Sequence, residues 1–193
     1  MTASLVQRMR VDKLRTFFAF LSYNDPEHST CLKVLHSLIF QVLFDEPELR
    51  PVVLEAYDLS YRQLNSDVTY VVKLLKSLLH NSSPVYLVID GLDEADEHQR
   101  QDLLKSILSI QEDCGHVRFF LSCRIETDIA QILSNGFIPI KVDENNAEDI
   151  TVYVRNEFKR LIDQMRRFGA GEDTCSTIGS QSTRVTEKAK GAQ

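Results

Sequence analysis

Short apolar runs of strand length alternate with longer segments of helical period along this chain, and that alternation limits the folds open to it. The runs are "LRTFFAF" (14–20), "VYLVI" (85–89), "VRFFLS" (117–122) and "FIPIKV" (137–142). Between the first two, apolar residues recur at Leu32, Leu35, Leu38, Ile39, Val42 and Leu43, which is helical spacing. The preceding "NDPEHST" carries turn and cap signals, with Pro26 suited to a first helical turn. Further helices are expected at about 47–64, 67–80, 98–113, 127–134 and 146–167, and residues 4–10 are helical in character. Strands that alternate with helices predict a parallel sheet covered on both faces, because parallel neighbours need crossover connections.

The 193 residues suit one domain with a tail. An apolar share of 43% with 26% charged residues can fill a core, and 22 basic against 28 acidic side chains give a net charge of −6. That balance argues against a nucleic-acid or anionic-membrane surface. No signal-peptide pattern opens the chain, and no apolar run is long enough to span a bilayer. The cysteines, Cys31, Cys114, Cys123 and Cys175, show no C-x-x-C spacing, so structural zinc is not expected. A cytoplasmic protein with reduced thiols is the expectation. Residues 168–193 are polar and glycine-containing with almost no large apolar side chain, and are expected to form a disordered tail behind a domain at 1–167.

The chemistry concentrates in "VYLVIDGLDEADEH" (85–98), where a strand runs straight into carboxylates. In open α/β sheets the functional crevice lies beyond the carboxyl ends of the strands. Asp90 there can hold a magnesium ion whose other ligands are waters and phosphates. Gly91 lets the backbone turn close by, and Asp93 and Glu94 come round to orient or deprotonate a water. Asp96 and Glu97 read instead as acids at the start of the next helix, favoured by its dipole. An EF-hand does not fit, since glycine falls at the second loop position and glutamine at the twelfth. One strand over, "FFLSCR" brings Ser122 and Arg124 to the same edge, where an arginine can contact a phosphate.

"PVYLVIDGLDEADE", "VRFFLSCR" and "DITVYVRNEF" together resemble the NACHT-type NTPase domain of the signal-transduction (STAND) class. More narrowly, they resemble the nephrocystin-3-like version common in fungal NLR-like proteins, over roughly residues 3–165. The resemblance implies an ASCE/STAND P-loop NTPase, an α/β/α three-layer fold with sheet order 5-1-4-3-2. It makes 14–20, 85–90, 117–122 and 137–142 the second to fifth strands. It implies that Asp90 is the magnesium-linked Walker B acid, that Asp93 and Glu94 handle water, and that Arg124 is the sensor arginine beside Ser122. Cys123 stands where the family commonly has a small hydroxyl residue. Magnesium with ATP or GTP is the implied cofactor.

The phosphate loop G-x-x-x-x-G-K-[ST] is not in this sequence: the first glycine is Gly91. The opening "MTASLVQRM" resembles the helix that follows the loop, so Thr2 falls near the loop's last Ser/Thr, with no lysine before it. Lys13 lies at the far end of that helix. The expectation is a truncated module lacking its first strand and loop, and losing its pattern again near Gln164. Three readings stay open: a remnant of an ATP/GTP switch that does not hold nucleotide alone, a working NTPase with unrelated phosphate ligands, and an interaction module or decoy. The last would pair with intact NACHT or NLR-like proteins, or with itself. The absent loop predicts no catalysis by the isolated chain. The vacated slot, about 9.6 Å wide at normal strand spacing, predicts an unpaired or re-paired 137–142 segment and weakened packing at Phe119, Leu121 and Ile138.

Overall fold

The computed structural model describes residues 2–80, 84–124, 126–134 and 136–140, together with 152, 156, 159 and 160. Two compact units divide the chain, residues 1–137 and 138–193. The expected boundary at 167 and most of the expected last helix lie outside the described residues, while 152, 156, 159 and 160 are helical and exposed.

In the first unit the order is α1 (Thr2–Val11), β1 (Arg15–Phe20), α2 (Cys31–Asp45), α3 (Arg50–Ser66) and α4 (Val68–Leu79). It continues with β2 (Val85–Asp90), α5 (Glu97–Asp113), β3 (Val117–Ser122) and α6 (Thr127–Leu133). Sequence periodicity placed each of these within a few residues. α2 starts later than Pro26 suggests. Ser29 Oγ donates to the carbonyls of Ser22 and Asp25, closing residues 22–29 into a turn, and Thr30 caps the helix through Lys33 N–H. Asp67 caps α4 and Asp96 caps α5 in the same manner.

The three strands form one parallel sheet in the order β1-β2-β3. Arg15 is level with Val85 and, one strand on, Val117, and Phe20 with Asp90 and Ser122, so all three carboxyl ends share one edge. This is the neighbour order expected for 14–20, 85–90 and 117–122. The segment 137–142 was expected as a strand left unpaired or re-paired. Residues 137–140 are not a strand, and 141–142 lie outside the described residues. Pro139 lacks the N–H that a ladder needs, and Ile138 is 89% exposed.

One sheet face carries the main core. Phe17, Ala19, Leu87, Ile89 and Val117 pack there against Val34, Leu38, Val71, Leu75, Leu104 and Ile107 of α2, α4 and α5. α4 buries Val71, Val72, Leu74, Leu75, Leu78 and Leu79, so nearly half its circumference is dry. Lys76 ties it to α5 by donating to Ser109 Oγ (2.6 Å) and Asp113 Oδ2 (2.7 Å). α1 packs on the other face, where Val6 and Val88 are buried. The result is a three-layer α/β/α arrangement. No helix of the described residues is long and apolar enough to cross a membrane.

The outer edge of β1 is closed by a side chain. Gln41 of α2 accepts from Phe18 N–H through Oε1 (3.1 Å) and donates to Phe18 C=O through Nε2 (2.8 Å), as a neighbouring strand would. Gln41→Ala removes both bonds, and a loss of about 1–3 kcal/mol in chemical denaturation is expected at net values near 0.5–1.5 kcal/mol each. Leu75→Ala, at a site with no exposure, is expected to lose about 2–5 kcal/mol in the same measurement.

Candidate functional site

Asp90 ends β2 at the shared carboxyl edge, and its Oδ1 accepts two hydroxyl hydrogen bonds. Thr2 Oγ1 donates at 2.7 Å and Ser122 Oγ at 2.6 Å. α1 supplies the first from the sheet face it covers, and β3 supplies the second through the register that sets Ser122 beside Asp90. The Thr2 side belongs to a residue only 8% exposed. Both hydroxyl protons are used on the carboxylate, which leaves oxygen lone pairs to face a cation. Asp90 Oδ2 takes no hydrogen bond from the described residues.

The chain turns immediately after this acid. Gly91 has φ +76° and donates its N–H to Ser122 O (3.0 Å). A Cβ at Gly91 would lie 3.0 Å from Leu21 O and 3.2 Å from Glu94 Cγ. Residues Leu92–Glu94 form one 3-10 turn, anchored by the fully buried Leu92. The anchor turns Asp93 and Glu94 back over the edge of the sheet.

These two acids are already engaged. Asp93 Oδ1 accepts Arg124 N–H at 3.0 Å, and its Oδ2 lies 3.4 Å from Arg124 Nε. Glu94 Oε2 accepts Tyr23 N–H at 3.2 Å, while Oε1 is 3.7 Å from Arg124 Nη2. Asp93 is nearly buried, with 9% of its side chain exposed, whereas Arg124 is 80% exposed. The guanidinium therefore lies on the acids from the solvent side. Its contacts, at 3.4 and 3.7 Å, are longer than a hydrogen bond of good geometry, so the exposed guanidinium is loosely held. Beside it, burial pushes the Cys123 thiol above its ordinary range, and the Asp93 charge pushes in the same direction. Cys123 is a thiol, not a thiolate, at neutral pH.

All five residues singled out by sequence, Asp90, Asp93, Glu94, Ser122 and Arg124, meet at this edge. Two partners were not counted among them. Thr2 had a signal in its position at the head of α1. Tyr23 had none, because it contributes a backbone N–H. Lys13 follows α1 and precedes β1, at the amino end of the strands, about 17 Å of strand length away from Asp90.

Among the described residues no group of three or more His, Cys, Asp or Glu side chains is disposed to hold a metal. One carboxylate with two adjacent hydroxyls is nevertheless a fit to magnesium, which keeps waters and takes phosphate oxygens beside one or two protein ligands. It does not fit zinc or calcium, which need more protein donors.

The model of the family described as Nephrocystin 3, N-terminal, matches residues 1–124, close to two thirds of the chain. The chain belongs to that family. The matched span runs from α1 to Arg124 and so contains every residue of the site. No curated protein and no solved structure matches the chain.

Gly91→Ala tests the turn. The left-handed backbone costs a side chain about 1–2 kcal/mol before any clash with Leu21 O. A fall in stability of at least that size is expected in urea titration, with the β2–β3 ladder retained.

Proposed function

We propose that this chain carries the magnesium- and water-handling half of a NACHT-type STAND nucleotide switch. The observation that carries the reading is Asp90, at the carboxyl end of the central strand, accepting hydroxyl protons from both Thr2 and Ser122. Thr2 heads a helix that covers one face of the sheet, where the resemblance puts the last residue of a phosphate loop. In that reading Asp90 is the Walker B acid, and Thr2 and Ser122 hold it in place. When bound, magnesium would be held by Asp90 beside Thr2 and Ser122 and would neutralise phosphate charge.

The remaining residues act around that centre. Asp93 and Glu94 orient a water, with Glu94 held by Tyr23 N–H so that its carboxylate keeps one direction. Arg124 leaves its exposed contact with the two acids and meets the developing phosphate charge. What these 193 residues do not contain is a glycine-rich loop ahead of β1, because no glycine precedes Gly91. Backbone donors and a lysine supply most of the hold on phosphates in such sites. With a net charge of −6, the chain has no field to replace them.

The chain as given is therefore expected to bind magnesium-ATP or magnesium-GTP more weakly than about 1 mM, near −4 kcal/mol, with no hydrolysis above background. Fusing a family-like strand and phosphate loop ahead of Thr2 is expected to restore binding. Asp90→Ala in the fused chain is expected to weaken its magnesium dependence. Calorimetry on the three proteins decides the matter, and tight nucleotide binding by the unfused chain overturns the reading.

A further inference from the structure

Two connections leave the carboxyl edge side by side, one from β2 to α5 and one from β3 to α6. They are stitched together in chain order. Ser122 Oγ donates to Asp90 Oδ1 (2.6 Å), Gly91 N–H to Ser122 O (3.0 Å) and Arg124 N–H to Asp93 Oδ1 (3.0 Å). The next stitch joins Arg100, one turn into α5, to Asp128, in the first turn of α6. Arg100 Nε and Nη2 both lie on Asp128 Oδ2, at 2.9 and 2.8 Å. The two side chains are 11% and 22% exposed, so this pair is largely shielded from water.

Apolar packing holds α6 as well, since Ile129 is buried in the main core. An apolar contact sets how deep a helix sits but tolerates sliding. Two N–H groups on one carboxylate oxygen set where its first turn lies, because charge-assisted hydrogen bonds are short and directional and little water competes for them here. Three residues separate Arg124 from Asp128, so a shift of α6 along α5 is passed to Arg124 through a short tether. The Arg124 segment is thus tied at both ends, by the β2–β3 ladder before it and by Arg100 after it. We propose that Arg100 and Asp128 are a positioning pair that fixes the connection after β3, and with it Arg124, opposite Asp93 and Glu94. The role rests on the nucleotide reading above, in which that arginine meets phosphate charge. Side-chain contacts of 3.4 and 3.7 Å on an exposed guanidinium do not hold the Arg124 backbone in place. The shielded pair does, and leaves the guanidinium itself free to move.

Amide hydrogen exchange on the full chain reads the position directly. In Arg100→Gln and in Asp128→Asn the Arg124 N–H, which donates to Asp93, is expected to exchange about tenfold or more faster. Gly91 N–H, on Ser122 O, is expected to keep its protection. The double variant is expected to match either single, since one substitution already breaks the pair. Cys123, beside Arg124, gives a second readout through the pH profile of its alkylation by iodoacetamide. A Cys175→Ser background isolates it, because Cys31 and Cys114 are buried. Burial holds the Cys123 thiol above its ordinary range, the charges of Asp93, Glu126 and Asp128 add to the rise, and Arg100 opposes it. Releasing the segment is expected to lower the titration toward the ordinary value in both variants. If the segment stays in place, losing the Arg100 charge raises it and losing the Asp128 charge lowers it, and that opposite movement overturns the proposal. So does an Arg124 N–H as protected as in the unaltered chain. Loss of protection at Gly91 as well marks a pair that merely supports the fold, and overturns it too. Asp128→Asn preserves shape and keeps the test if Arg100→Gln fails to fold. Both measurements use the unfused chain without nucleotide, so they succeed or fail separately from the calorimetry that tests the nucleotide reading.

Discussion

β2 commits both rows of its backbone donors and acceptors to neighbours, one to β1 and the other to β3. Every residue from Val85 to Asp90 is paired on a fixed register, and Val85, Leu87, Val88 and Ile89 have no exposure at all. Slipping one residue would turn Leu87 and Ile89 off the main core and put Tyr86 in their place. That penalty pins Asp90 at the strand end. Everything at the carboxyl edge follows from it: Leu21 N–H on Asp90 O, Gly91 N–H on Ser122 O, and the turn that carries Asp93 and Glu94.

The layers on either side of β2 are unequal. α2, α4 and α5 together bury the main core, whereas α1 alone among the described helices covers the opposite face, leaving Phe20 and Phe120 substantially exposed. The site uses that inequality. Thr2 reaches Asp90 from the thin side, and the hydroxyl of Ser122 comes from the sheet itself. Asp93 and Glu94 are instead held by residues just beyond β1 and β3. The acid that would meet a cation and the acids that would meet water thus share one strand end but are held by different partners.

Much of this was legible from the order of residues, for reasons that differ between elements. Six apolar positions at helical spacing in 68–79 leave α4 no alternative, and "VYLVI" followed by acids marks both a buried strand and its functional end. Asp96 was readable as a cap because a carboxylate before a helical run has few other uses. The segment 137–140 has the apolar composition of a strand but no ladder, because a strand is defined by a partner and Pro139 gives up a donor. Two features had no local signature. Gln41 looks like an ordinary exposed helix residue until α2 is laid beside β1, where its amide copies a strand. The bond from Thr2 to Asp90 crosses 88 positions in sequence, and only the packing of α1 on the sheet creates it.

Charge decides how the proposed site would meet a nucleotide. Asp90, Asp93, Glu94, Asp96 and Glu97 crowd into eight positions, and Arg124 already lies against Asp93 and Glu94. Arg100 is not available either, since it pairs with Asp128 at 2.8 Å and links α5 to α6. A triphosphate approaching this edge meets acids whose own counter-ion is engaged, and the first charge it must bring is a metal. In the proposed reading magnesium would answer Asp90, but a metal offered one carboxylate and two hydroxyls would be weakly bound without phosphates. Metal and phosphate would then wait on each other, and donors aimed at the phosphates would break the deadlock. Thr2, whose hydroxyl already touches Asp90, is the residue through which such donors would be coupled to it.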